Sequence, residues 1–170
     1  MEKFKKLEDI YLPDTRSERS IRLENRYKIL SEDIVLNEMV PDDVVSQFNI
    51  ARNLCLYTWF SYSFHQVSEL KAFSVLEYSL KGRYKKRGLR NLINLALKDG
   101  LINDLGFRHV DFDPQDPTEY CRTLPKFVPD MRNKLAHGSC KLLPNSLDML
   151  ALCADFINQV YAGPPMQDYW

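Results

Sequence analysis

Residues 42–81 contain neither glycine nor proline, forty positions in all. Those two residues are the usual punctuation of a helix. Just ahead of the stretch, Pro41-Asp42-Asp43 reads as a helix start, with acids in the first turn. One unbroken helix of that length would outgrow a compact domain of 170 residues. The stretch therefore predicts two long helices with a break or bend around 59–63. The first carries Val44, Phe48, Ala51, Cys55 and Trp59 at helical spacing, and the second carries Val67, Leu70, Phe73, Leu76, Leu80 and Tyr84. Both sets are expected to be buried.

The remaining pattern continues in helices. Gly88 opens a shorter one through Leu92, Leu95 and Ala96, which Gly100 closes. A polar loop with Asp111, Asp113, Pro114, Asp116 and Pro117 follows. Asp116-Pro117-Thr118-Glu119 has the spacing of a capping box and predicts another helix start, with Pro125 and Pro129 interrupting or kinking that helix. It stops at Gly138. A last helix is expected from about Pro144 to Ala162, with Leu147, Leu150, Ala151, Ala154, Ile157 and Tyr161 on one side and Gly163-Pro164-Pro165 ending it. The expected fold is all-α, an up-and-down bundle of four to five helices over 41–163. Residues 1–40 form an N-terminal arm packing on it, and 164–170 a tail. Within the arm, Ile21, Leu23, Tyr27 and Ile29 suit a strand, whereas Leu23, Tyr27 and Leu30 suit one helix face; short apolar runs leave both open.

Net formal charge is zero, which excludes a uniformly basic nucleic-acid coat but not a local basic patch. Four cysteines (Cys55, Cys121, Cys140, Cys153) form no C-x-x-C pair, and there are three histidines, so zinc spacing is missing. No phosphate-cradling glycine-rich loop and no metal-carboxylate motif occurs, so neither cofactor nor metal is expected. The start of the chain lacks the apolar stretch of a signal peptide, and no apolar run reaches membrane-spanning length. The expected location is a reducing cytoplasm without membrane partners, with the cysteines as small buried apolar groups.

Chemistry concentrates in Arg132-Asn133-Lys134-Leu135-Ala136-His137, closed by Gly138. Arg can neutralise and orient a phosphate, His moves a proton near neutral pH, and an amide fixes geometry between them. Asn133 and His137 are four apart and share a helix face. Arg132 and His137 are five apart, roughly 140° around the axis. A straight helix therefore does not aim both at one phosphate. Either Arg132 reaches around, or the helix end distorts at Gly138, or a second copy completes the site across a dimer axis.

The string Met-Arg-Asn-Lys-Leu-Ala-His-Gly-Ser resembles the R-x(4-6)-H signature of the HEPN superfamily, all-helical domains in which a polar residue commonly follows the Arg. Two long helices upstream, a late helix ending in the signature and one more helix also resemble it, over about 41–163. The resemblance implies a metal-independent endoribonuclease, often a toxin or defence effector, working as a homodimer with the motif at the interface. The residues carried over are Arg132, Asn133 and His137. Many relatives have lost catalysis and serve as RNA-binding or assembly modules. Some are paired with a nucleotidyltransferase-like neutralising partner.

Other residues bear on that reading. Glu77 sits inside the second helix's apolar stripe, and a buried carboxylate needs a partner. Arg132 would serve in a site-supporting pair, and Lys81 at i+4 is the plainer alternative. Glu69 is a weaker candidate of the same kind. Lys81, Arg83, Lys85, Lys86, Arg87 and Arg90 cluster within ten residues, either as a solvated helix end favoured by the macrodipole or as a phosphate-tracking patch on which Tyr84 stacks a base. His65 and His109 read as structural or surface residues. Cys140 near His137 has nothing to orient it as a nucleophile. The chemistry expected is attack of a ribose 2′-hydroxyl on the adjacent phosphorus, with His137 as base and Arg132 on the developing charge. The alternative is a catalytically inactive homodimeric module that binds RNA or nucleotide, or a partner-docking subunit without nucleic acid.

Overall fold

The computed structural model describes residues 4–17, 21–85, 88–138 and 145–162. Among them are six α-helices and no strand: α1 (Leu23–Lys28), α2 (Asp42–Tyr57), α3 (Phe64–Arg83), α4 (Leu89–Lys98), α5 (Leu124–Ala136) and α6 (Ser146–Ala162). No helix among the described residues is long and apolar enough to cross a membrane. Lys86, Arg87, Cys140 and 163–170 lie outside the described residues.

The forty-residue stretch is two helices, with the break at 58–63. Thr58 closes α2, turning its hydroxyl back to the Cys55 carbonyl at 2.7 Å. Helices α2 and α3 then run antiparallel, because the contacts pair low numbers with high. Ser68 Oγ donates to the Ala51 carbonyl at 2.9 Å, Lys71 Nζ to Gln47 Oε1, and the Tyr78 hydroxyl to Asp43 Oδ2 at 2.6 Å. Val44, Phe48, Ala51 and Cys55 are buried, as their spacing predicts, whereas Trp59 lies in the turn and is half-buried.

Helix α3 departs further from the expected stripe. Phe73, Leu76 and Leu80 are buried, but Val67 is 48% exposed, while His65, Ser68, Glu69 and Ser79 lie inside. The reason is position: α3 packs against α2, α4, α5 and α6, so it is enclosed on most of its circumference. Its one wet stripe runs through Phe64, Val67, Ser74, Tyr78 and Lys81, and the small polar residues on the covered side give neighbouring backbones room to approach.

Helix α6 lies parallel to α3. His65 meets Ser146 at their starts, Nδ1 to Oγ 2.6 Å, and Arg83 Nη1 reaches the Val160 carbonyl at 3.0 Å near their ends. Strict up-and-down alternation of neighbours is therefore broken at this pair. The long connection 99–123 makes such a return feasible, since it carries the chain away before α5.

That connection starts with a Schellman cap. Gly100 takes φ +68°, its N–H bonds the Leu97 carbonyl, and the Leu101 N–H bonds the Ala96 carbonyl. The expected helix start at 116–119 is not used. The Asp116 carboxylate is held by the Arg122 guanidinium at 2.5–2.8 Å, and buried Asp104 takes the N–H groups of Tyr120 and Cys121 at 2.8 and 2.9 Å. α5 begins only at Leu124, so Pro125 sits in its first turn, where a missing N–H costs nothing. Pro129 alone lies inside the helix.

The stretch 21–30, open between strand and helix by pattern, is helical from Leu23 onward. It is followed by a π-helical turn (Ile29–Asp33), and Leu30, Ile34 and Val40 join the core. Ahead of it the arm is tied to the α2–α3 turn: the Asp14 N–H donates to the Trp59 carbonyl at 2.9 Å, and Ser17 Oγ to the Thr58 carbonyl at 2.7 Å.

Candidate functional site

Arg132 projects from α5 toward α3. Its Nη2 donates to Glu77 Oε2 at 3.0 Å, and its Nη1 contacts Asn133 Oδ1 at 3.2 Å. The second oxygen of Glu77 takes Lys81 Nζ at 2.7 Å, one helical turn along α3. Both partners weighed for Glu77 thus hold it at once, one on each oxygen. A largely buried carboxylate between two cations keeps its charge satisfied, and it aims the guanidinium like a bracket. The Glu77 side chain is only 12% exposed and Arg132 is 37% exposed, so the fork stays reachable from solvent.

Arg132 and Asn133 help line a groove of about 360 Å³. Its other walls are Glu77, Gly88, Leu89, Arg90, Pro129 and Asp130. Gly88 shapes one end with a φ of +83°, a conformation that suits glycine. Arg90 is anchored by Nε to the Pro125 carbonyl at 3.1 Å, and its Nη2 lies 3.5 Å from Asp130 Oδ1. Sequence reasoning included Arg90 but missed Asp130, Leu89 and Pro129, which reach the groove through the packing of α4 on α5.

His137 occupies the C-cap of α5. Its N–H bonds the Asn133 carbonyl at 3.0 Å, and Gly138 follows at φ +75°. The ring is exposed, has no hydrogen-bond partner among the described residues, and does not line the groove. Met131 and Leu135 pack against the core from the opposite side of the helix. One chain therefore brings together Arg132, Asn133 and Glu77, with His137 at the helix end and outside that groove.

The basic run disperses. Lys81 is committed to Glu77, and Arg83 to the end of α6. The Tyr84 ring packs against the core, and its hydroxyl donates to Asp99 Oδ2 at 2.9 Å. Burial, with that bond, pushes its pKa well above the usual tyrosine range. Lys85 is exposed, and Arg90 alone of the described run lines the groove.

A second polar cluster is fully enclosed. His65 Nδ1 meets Ser146 Oγ, which lies 3.2 Å from Cys55 Sγ, and Arg26 Nη1 approaches the same sulfur at 4.0 Å. Burial and then the Arg26 charge lower the His65 pKa to about 4, and burial raises the Cys55 thiol. One turn along α3, Glu69 has an oxygen without a partner, and burial with the Asp148 charge pushes its pKa up to about 7. His65 and Glu69 do not line the Arg132 groove, and His65 is 1% exposed. His109 is a surface residue bonded to the Tyr120 hydroxyl at 2.9 Å. Among the described residues no cluster of three or more His, Cys, Asp or Glu side chains is placed to hold a metal ion. No family model matches the chain, and no curated protein or solved structure matches it significantly.

Proposed function

We propose that this chain is an endoribonuclease of the HEPN type, acting as a homodimer. The observation that carries the reading is the Glu77-held Arg132, opening with Asn133 onto a solvent-reachable groove, on the same helix that ends in an exposed imidazole. RNA is the substrate. Arg132 takes the scissile phosphate and stabilises the charge that builds on it. Neutral His137 removes the proton of the 2′-hydroxyl as that oxygen attacks phosphorus. The products are a 2′,3′-cyclic phosphate and a 5′-hydroxyl. Since His137 lies off its own chain's groove, the imidazole serving each Arg132 is supplied across a two-fold axis. A toxin or defence role with a nucleotidyltransferase-like neutralising partner, in a cytoplasmic setting, follows from the same resemblance.

The test is labelled RNA incubated with purified protein in chelator, beside His137→Ala, Arg132→Ala and an all-deoxy control. Cleavage of RNA alone, lost in both variants, supports the reading. Equal cutting of the all-deoxy strand overturns it, since DNA has no 2′-hydroxyl. The second reading is an inactive homodimeric RNA-binding or assembly module. It is favoured by one observation, that Arg132 already has a carboxylate partner while His137 stands apart. It predicts intact RNA, bound equally by wild type and His137→Ala.

A further inference from the structure

A groove built only to hold phosphate has no use for a carboxylate at its mouth, because the two repel. This groove carries two. Glu77 is consumed by Arg132 and Lys81. Asp130 is not consumed: its side chain is 46% exposed, and its contact with Arg90 is loose, at 3.5 Å. Such a half-exposed pair adds little to stability. Arg90 is held from behind by the Pro125 carbonyl, so its outer nitrogens stay presented beside Asp130. The apolar surface between them comes from Leu89 and Pro129. The groove thus offers, side by side, an acceptor with two oxygens, a fork of donors and a flat apolar wall. Its volume of about 360 Å³ is at the lower end of small-molecule sites, which run from roughly 300 to 1,000 Å³.

We infer that Asp130 and Arg90 read a guanine base next to the phosphate held by Arg132, which makes them specificity residues. The inference rests on the ribonuclease reading for the identity of the ligand as RNA. Single-stranded RNA is read on base edges that are splayed out and unstacked. Guanine alone among the four bases presents two adjacent donors on its Watson–Crick edge, N1–H and the N2 amine, with the O6 acceptor beside them. A carboxylate takes the two donors, and the guanidinium donates to O6. Adenine lacks both donors needed by the carboxylate, and uracil has one between two acceptors. A polar site left unpaired by the wrong base rejects it.

The experiment measures binding by fluorescence anisotropy with 2′-O-methyl tetranucleotides, which have no attacking hydroxyl. The probes are all-adenine, and the same strand with one guanine, inosine, cytosine or uracil. The guanine probe is expected to bind roughly ten- to hundredfold tighter than all-adenine. Inosine, which lacks the N2 amine, loses most of that gain. Asp130→Asn abolishes the preference for guanine over all-adenine, and Arg90→Lys, which keeps the charge without the fork, weakens guanine selectively. Equal affinity for the four bases, a preference for cytosine, or a guanine preference that survives Asp130→Asn overturns the proposal. Cleavage of ordinary RNA is scored separately. Cutting without base preference sinks the guanine assignment alone. Guanine preference without cutting sinks the nuclease reading alone, and no affinity for any strand sinks both.

Discussion

At the scale of single residues, Glu77 and Glu69 show two fates of a carboxylate on α3. Glu77 is paired with two cations at the groove, whereas Glu69 faces Asp148 and the core. Replacing Glu77 with Ala leaves Arg132 without its bracket. On the proposed function, RNA cleavage then falls roughly tenfold or more in kcat/KM, the scale of a misplaced charge. Far-ultraviolet circular dichroism should remain that of the wild type. Unchanged turnover would show that Glu77 does not position Arg132. The enclosed pair gives a different readout. The folded pKa of His65, about 4, lies below its ordinary 6.5, so the unfolded chain binds the extra proton and stability rises with pH between those values. The folded pKa of Glu69, about 7, lies above its ordinary 4.5, so the folded chain binds the extra proton and stability falls as pH rises from 4.5 to 7. The two oppose each other between pH 4.5 and 6.5 and flatten the wild-type profile there. Glu69→Gln removes one of them. Its stability by urea titration should climb from pH 4.5 to 6.5 by about 2–3 kcal/mol, and a flat profile in that variant would contradict the account.

Among the elements, the glycines that end α4 and α5 look alike but should respond differently to substitution. Gly100 and Gly138 both have positive φ, and a Cβ at either meets nothing within 4 Å. Alanine at Gly100 therefore costs backbone strain alone, about 1–2 kcal/mol, read as a lower denaturant midpoint with the site unaffected. Alanine at Gly138 carries a similar cost but re-aims His137, so cleavage should suffer more than stability does. Element boundaries were also where the sequence was most and least legible. Pro41 with first-turn acids marked the start of α2, and Gly88 and Gly100 marked the ends of α4, because each signal acts on its own turn, whereas the break between α2 and α3 was legible from the length of the uninterrupted stretch. The α5 start was misread because Asp116 is taken by Arg122, and Asp104, more than a dozen residues upstream, holds the N–H groups of Tyr120 and Cys121 in the turn ahead of the helix. The interior of α3 was misread because its wet stripe carries Phe64, Val67 and Tyr78 while His65, Ser68, Glu69 and Ser79 are buried, so hydropathy does not mark the covered side. In the groove, the link of Arg132 to Glu77 was legible from a carboxylate in an apolar stripe. Asp130 was not, since its meeting with Arg90 spans 40 residues and depends on how α4 lies on α5.

Across the whole molecule, α3 is the shared wall. It supplies Phe73, Leu76 and Leu80 to the apolar interior and Glu77 to the groove, and it packs against α2, α4, α5 and α6. Phe73→Ala empties a fully enclosed volume and should cost about 3–5 kcal/mol, measured by chemical denaturation, and a loss under 1 kcal/mol would show that the interior collapses to fill it. The arm is lighter. Its Lys5–Leu12 segment makes mostly local bonds, and Phe4, Leu7 and Tyr11 are exposed. Enclosure of one helix by four others has a kinetic corollary. The amides of Phe73, Val75, Leu76, Ser79 and Leu80 lie on the covered side of α3, where four different neighbours shut out local access of solvent deuterium. They should exchange last, at the rate at which the entire chain opens, and residues 4–13 of the arm should exchange within the first time points.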